Sequence, residues 1–552
     1  MREDVRKEKE RVRNLYRLIV LSMPLGTNME KELEANIAVP LPVHQQRPQN
    51  AASTDSQLSA DIEKILPSSD SSSSSSITTP SPLDWHTTPL NPYNWPLSKR
   101  IHHILVPALY GFTISFSSSV YTPGIPSLQH EFHISTTVAL LGLSLFTLGL
   151  AFGPIIAAPL SETYGRKVVY LVSMPVFVVF VICGGTSREW GGVLAFRVLA
   201  GVFGSPVLAV GAGTIADLWA VQDRGVATSL FLLAPFAGPS LGPVIGGFAA
   251  QRGWRWTHWT ILFFAGFSYL LALMSSETYK KIILRRHAQR IGQPLPSKGN
   301  KPSPLARANK FLTATLSRPL HMLVTEPIVF FFSLYVSFAF GVLFAFFAAF
   351  PLVFQRVYGF DGAQVGLTFL AIGTGCMLAV VTVVIADLKI YQKLVRKDME
   401  IGGDGIIRPE YRLYPAMVGS AGLPISLFWF AWTARSDIHW ASPVAAAIPF
   451  AWGNLCIFEL TRPLPQTSAA MYMIDTYSAP TAASALAANG MARYVFGAAF
   501  PLFTIPMYNH LGTAWATSLL GFLSLVLLPV PWVLWAWGPR IRQKSGYETI
   551  NI

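Results

Sequence analysis

Charged side chains are scarce in this chain: Asp, Glu, Lys and Arg supply 13% of the 552 residues, against 51% hydrophobic, and mean hydropathy is +0.42. Soluble domains carry about a quarter charged residues, so the composition excludes a soluble globular fold and indicates a polytopic membrane protein. Cysteine is scarcer still. Cys183, Cys376 and Cys456 lie singly in apolar stretches with no metal-ligand spacing, which sets aside a disulfide framework, a redox centre and a thiolate metal site. The sequence also lacks a Ser/His/Asp arrangement, a phosphate loop and a nucleotide-binding cassette, so it offers no enzymatic chemistry and no route to ATP hydrolysis. The one imbalance is of sign, a net charge of +13. It forms no compact basic domain, so nucleic acid is not an expected partner.

What is abundant is the long apolar run. A bilayer crossing needs about twenty such residues. Runs of that kind occupy 101–123, 138–160, 168–187, 191–213, 226–250 and 257–275, then 326–353, 363–386, 414–434, 440–459, 482–507 and 513–537. The expected fold is therefore an all-α membrane protein of about twelve spans. Domain by domain, the reading is a disordered Ser/Pro-rich tail (1–98), a first bundle (99–275), a basic central loop (276–325), a second bundle (326–538) and a short tail (539–552). The serine run Ser71 to Ser76 cannot bury enough surface to fold. The apolar stretch Leu18 to Met23 is too short for a signal-peptide core, and Met23 or Met29 is an alternative start. Basic residues gather beside alternate spans, at Arg166 and Lys167, from Lys280 to Arg318, at Lys389 to Lys397, and at Arg540 to Lys544. That asymmetry predicts both termini on the cytoplasmic side.

The segment from Gly238 to Gly247 is the most unusual of the spans. Gly238, Gly242 and Gly246 recur every fourth residue and share one helix face. A face without side chains lets a neighbouring helix approach to backbone contact, while Pro239 and Pro243 each remove a donor and favour a kink. Either a hinge or a passive packing seam fits those residues alone. Between the second and third spans, Glu162 is placed to pair with Arg166 or Lys167 across a turn permitted by Gly165, a charged clamp or ordinary loop charge. Arg197 falls inside the fourth span, where a cation is costly and normally faces the bundle interior, the alternative being to snorkel to the surface. Asp217, near the inner end of that span, reads as a helix-end anchor. The halves echo one another weakly, with Gly142 to Gly149 resembling Gly366 to Gly373, each run leading to an acid, Glu162 or Asp387.

Taken together these pieces resemble the major facilitator superfamily, and within it the fungal drug:proton antiporters with twelve spans. The resemblance runs through nearly the whole chain after residue 90. Asn91 to Pro96 is similar to that group's opening signature; Glu162, Gly165, Arg166 and Lys167 to its loop motif, with Glu in the usual Asp position and Pro159 where Gly is common. Arg197, Gly201 and Gly204 match the fourth-span motif, and Gly238 to Gly247 the fifth-span antiporter motif. Gly253 to Trp256, Glu277 to Tyr279, Arg318 to Leu320, Glu326 with Pro327, Pro409 to Leu413, Tyr472 to Tyr477 and Ala483 to Asn489 extend the match.

The resemblance implies two pseudo-symmetric six-helix bundles in the major facilitator fold, and a proton-coupled exporter of small organic molecules such as drugs, toxins or secondary metabolites. On this reading Arg197 and Asp217 belong to the proton-coupling network. Glu162, Gly165, Arg166 and Lys167 form the inner clamp, and Gly238, Pro239, Gly242, Pro243, Gly246 and Gly247 the hinge. Tyr335, Phe346 and Asn489 are candidates for the substrate cavity. No cofactor or metal is expected beyond the proton gradient; the partners are substrate, protons and lipid, the chain is a monomer, and the plasma membrane is the expected location, with the vacuolar membrane as the alternative. Many relatives carry Glu near Ala348; its absence here turns the expectation from polyamines toward apolar or weakly polar cargo. Besides a polyamine exporter, the rival functions are a nutrient uptake symporter and a transport-inactive membrane sensor. The stretch Glu459 to Gln466 departs from the family, as a genuine extension or as retained intron sequence.

Overall fold

The computed structural model describes residues 85, 87–219, 224–291, 313, 317–386, 410, 413–458, 473, 476–477 and 479–547. The Ser-rich part of the tail, Asp387 with the basic residues after it, and the 459–466 stretch lie outside the described residues. Two units emerge: residues 1–101 with 278–301, and residues 102–277 with 302–552. In the smaller unit, Asn91 accepts from the Tyr93 amide at 3.1 Å and donates to the Trp85 carbonyl at 3.0 Å, which caps a 3-10 turn at Pro92–Asn94. A folded turn thus occupies part of the stretch expected to be disordered. Its proline φ is fixed in advance and the asparagine cap satisfies local backbone, so ordering it costs little entropy.

Helices carry the larger unit. In its first half they are α1 Leu97–Ser119, the short α2 Ile125–Phe132, α3 Thr136–Tyr164, α4 Arg166–Thr186, α5 Trp190–Gly204 continued by α6 Pro206–Leu218, α7 Arg224–Ala250 and α8 Arg255–Met274. The helix α9 Lys280–Arg290 belongs to the smaller unit; in the larger one α10 Arg318–Thr325 is followed by α11 Pro327–Tyr358, α12 Gly362–Thr368 with α13 Leu370–Ala386, α14 Tyr414–Ser420 with α15 Gly422–Thr433, α16 Ala441–Phe458, α17 Ala479–Leu527 and α18 Val530–Gln543. Apolar runs become helices here because no water is present to satisfy an open backbone. Their ends follow local chemistry: Ser135 accepts from the Val138 amide, and Asp361 with Gln364 forms a reciprocal capping box. Gly165, at φ 102°, makes the break between α3 and α4.

The apolar helix run Thr481–Gln543 is 63 residues long, about 95 Å at 1.5 Å per residue, roughly three bilayer cores. Gly512 (φ 75°, ψ 165°) breaks it, so it crosses twice. With the shorter Ala441–Ile457, the ten long apolar helices among the described residues become twelve crossings, matching the spans read from the sequence. The helix ends alternate between a basic face, where α3 meets α4, and a far face, where α7 turns into α8.

Glycine sets the close approaches within each half. Gly149 and Gly201 bring α3 and α5 together, and Gly375 lies against the Ile448 carbonyl and Ala451 on α16. Apolar interiors fill the rest. One cluster, with Tyr110, Phe116, Phe146, Phe177 and Ile261, lies mainly in the first half. The other occupies the second half and continues into Tyr121, Leu128, Leu140, Val193 and Trp254, the far-face end of the first. A side chain at residue 201 meets the Phe146 carbonyl and the Gly149 Cα. Gly201→Leu is therefore expected to cost at least about 1–3 kcal/mol and to lower the thermal unfolding midpoint of the detergent-purified chain. Gly266→Ala, whose Cβ meets open space, is expected to leave it unchanged; equal midpoints for both variants would contradict this packing.

Candidate functional site

On the far face the two halves touch through α7. Gly238 lies against Ser115 and Phe116, Gly242 against Ser119 and Val120, and Gly246 against Val120 and Pro123, all on or just after α1. Ser119 donates to the Gly238 carbonyl at 3.0 Å, so the seam satisfies polar backbone as well as filling space. The same helix meets the second half. Gly247 lies on Gly362 and Ala363, Gly366 on the Pro243 carbonyl, and Ser240 donates to the Phe369 carbonyl at 2.9 Å. Pro239 and Pro243 stand between these contacts within α7. At about mid-depth, α3 and α17 meet where Gly497 packs on Phe340 and Thr147.

The basic face is held by charge. Arg166 Nε donates to Asp217 Oδ2 at 3.1 Å, and its Nη1 donates to Ser161 Oγ at 2.6 Å. The amides of Arg166 and Lys167, at the start of α4, donate to Glu277 at 2.8 and 3.3 Å, a carboxylate at a helix N-terminus. Lys167 Nζ donates to the Ser275 carbonyl at 2.6 Å. This corrects the expected partner: Glu162 is exposed at the end of α3, and Asp217 and Glu277 hold the two basic residues instead. Tertiary position decides it, because α6 and the segment after α8 bring their acids over the turn. A Cβ on Gly165 would meet the Glu277 carboxylate, so the turn glycine also clears the site.

The second half has its own set. Glu326 accepts from Tyr477 Oη and Ser545 Oγ, both at 2.9 Å, and from the Gly546 amide at 3.1 Å. Arg542 lies 2.9 Å from Glu410, both buried. Sequence reasoning gave none of these acids a role, although an acid beside a span end, facing a basic stretch, is the signal that marks them.

Arg197 does not snorkel. Its side chain is buried, donating to the carbonyls of Gly142 at 3.0 Å and Ser117 at 2.9 Å, with its guanidinium 4.6 Å from the Tyr121 ring centre and 4.4 Å from that of Phe146. Carbonyl dipoles and ring faces thus solvate the cation, and Nη2 is left without a partner. Among the described residues no carboxylate lies within 4.0 Å of it. Asp217 pairs with Arg166 at the basic face.

A small void between the halves is lined by Phe236, Pro239, Leu343, Ile372, Cys376, Ala451, Asn454 and Leu455. Tyr335, Phe346 and Asn489 do not line this void. Tyr335 is fully buried and donates to the Ser420 carbonyl at 3.4 Å; Phe346 stacks on Phe350 and packs at a tilt against Phe450; Asn489 donates to Ser333 at 3.4 Å. Their faces on α11 and α17 turn into second-half packing, which a single sequence does not distinguish from a cavity wall. Arg493, midway along α17, was missed. An arginine within an apolar span was the available signal.

Residues 108–501 match the model of the Major Facilitator Superfamily. The chain belongs to that superfamily, and it is a transporter rather than an enzyme. Polyamine transporter 4 of Saccharomyces cerevisiae is 39% identical over 86% of this chain and 74% of its own length. Efflux pump FUBT of Fusarium oxysporum is 38% identical over 83% of this chain and 76% of its own length. Among solved structures, the proton:xylose symporter XylE shares the fold at a TM-score of 0.56 and 15% identity, over 80% of this chain and 96% of that one.

The basic-face geometry makes a direct prediction. Glu277→Ala removes the acceptor of two amides, so deuterium exchange at Arg166 and Lys167 is expected to speed up about tenfold or more. Unchanged exchange at those positions would contradict the assigned role.

Proposed function

We propose that this transporter is a proton-coupled exporter of small organic molecules that works by alternating access, with its basic face in the cytoplasm and the plasma membrane as its site. The observation that carries the reading is the contact of α7 with α12 and α13, where Gly247, Gly366 and Ser240 bring the two halves together almost backbone to backbone. Such a seam allows two rigid bundles to separate without unpacking interdigitated side chains. The structure is then the state closed on the far side. The Arg166, Asp217 and Glu277 set is the lock that forms and breaks on the cytoplasmic side, and Arg197 joins the proton-coupling network through its water-excluded charge. The names of relatives support export, and the basic ends of alternate spans support the orientation. The transporter works as a monomer and draws on the proton gradient alone, with no cofactor.

A polyamine cargo is the second reading, favoured by the polyamine-transporter relative. The buried aromatic and alanine surface around Ala348 counts against it, because a polycation needs acids to offset its desolvation.

Retention of labelled compounds in cells with and without the gene tests the direction. Lower retention in expressing cells, abolished by a proton uncoupler, is expected; equal retention across a broad panel would overturn export. A side chain at residue 247 meets the Gly362 carbonyl and the Ala363 Cα across the halves. Gly247→Leu is therefore expected to abolish the retention difference in membranes that still contain the protein, whereas wild-type export by that variant would refute the seam's role.

A further inference from the structure

The smaller unit carries charge of one sign. Its described residues include Lys99, Arg100, Lys280, Lys281, Arg285, Arg286 and Arg290, and no Asp or Glu. The sequence beyond them stays one-sided: from residue 278 to residue 325 there are ten Lys or Arg and no acid. The nearest acid in sequence, Glu277, belongs to the larger unit, where it accepts from the α4 amides.

Two of these cations are placed by aromatic rings. Lys99 Nζ lies 3.8 Å from the Trp95 ring centre, and Lys280 Nζ lies 5.3 Å from that of Trp85. Farther along α9, Arg285, Arg286 and Arg290 are exposed, and no carboxylate among the described residues lies within 4.0 Å of them. At 3.6 residues per turn they leave the helix within an arc of about 140°, so they form one guanidinium face. Lys281 and Arg285 stand four residues apart, as do Arg286 and Arg290, a spacing at which like charges destabilise a helix. The helix α9 therefore forms against its own electrostatics, and a polyanionic partner relieves that repulsion.

The chain holds this face beside the bilayer. The smaller unit contains the start of α1, at Leu97, and follows α8, which ends at Met274. Both helices are long and apolar enough to cross a membrane. Residues 275–279, which join α8 to α9, reach at most about 20 Å, so α9 starts close to a headgroup layer.

We propose that the guanidinium face of α9 docks on the anionic phospholipid headgroups of the adjoining leaflet. Docking of this kind goes beyond the transport reading and is independent of its direction. Arginine suits the partner, because its fork meets phosphate oxygens in pairs. A basic cluster beside a spanning helix draws on the negative surface potential of an anionic leaflet, an attraction that fades within a Debye length and weakens with salt. A zwitterionic leaflet supplies phosphates without that field.

The test uses the full chain in nanodiscs of phosphatidylcholine alone or with about a third phosphatidylserine, read by deuterium exchange of the α9 amides. Phosphatidylserine is expected to slow that exchange about fivefold or more at low salt, and about 0.5 M salt to erase the difference. Arg285→Gln, Arg286→Gln and Arg290→Gln made together are expected to abolish the lipid ratio, and the three Lys substitutions to keep most of it. Exchange at Arg166 and Lys167 in the same samples shows that each variant keeps its fold. Equal exchange of α9 in the two lipids, or a slowing that survives the Gln substitutions or the salt, would overturn the proposal. Glycerophosphoserine, the soluble headgroup, added to phosphatidylcholine discs is expected to have no effect. An equal slowing there would assign the face to a soluble anion and overturn docking on the bilayer.

Discussion

The structure depends on backbone contact between helices along a face of α7 that has no side chains. Gly238, Gly242 and Gly246 let α1 approach until its own serines and backbone fill the gap, and Gly247 with Gly366 lets the second half do the same. Interhelical hydrogen bonds from Ser119 and Ser240 then replace some of the apolar contact such a surface forgoes. In a bilayer the hydrophobic effect does not drive helices together, so close fit and hydrogen bonds must. A single methyl group at these positions would collide with backbone or a hydroxyl, which makes the seam intolerant of substitution.

The two faces of the molecule are held by different physics. The far face closes by shape, through glycine contacts and an apolar cluster that runs from Trp254 and Tyr121 into the second half. The basic face holds its helix ends by charge, with Arg166 between Asp217 and Ser161 and with Glu277 on the α4 amides. Packed seams are all-or-none, whereas partly exposed ion pairs are weak and responsive to water and salt. A transporter that must open one side while closing the other gains from having one rigid seam and one labile lock. The buried Arg542–Glu410 pair and the acceptor set at Glu326 give the second half a counterpart at the same face.

Much of this architecture was legible in the sequence, because the bilayer simplifies the code. Each span must be about twenty apolar residues in a helix, so the crossings could be read with little more than length, and even the break at Gly512 falls between two of the expected runs. The glycine face was legible for the same reason: a four-residue repeat fixes a helix side before any partner is known. Partners were not legible. Glu162 is the nearest acid in sequence to Arg166, yet Asp217 and Glu277 reach it through the fold. Surroundings were not legible either: Phe346 and Tyr335 have the composition of a binding wall and in this structure pack within the second half. Arg493, a cation within an apolar run, carries the same kind of signal as Arg197.

The central claim is that the α7 seam opens during transport, and a distance across it measures this directly. Spin labels at Gln251→Cys and Gly362→Cys, with Cys183, Cys376 and Cys456 replaced, flank the contact of Gly247 with Gly362 on the far face. Double electron–electron resonance in nanodiscs should give one short distance at rest and a second, longer population when a transported substrate and a lowered pH are supplied together. A single short distance under every condition, in a protein that still exports, would contradict the account.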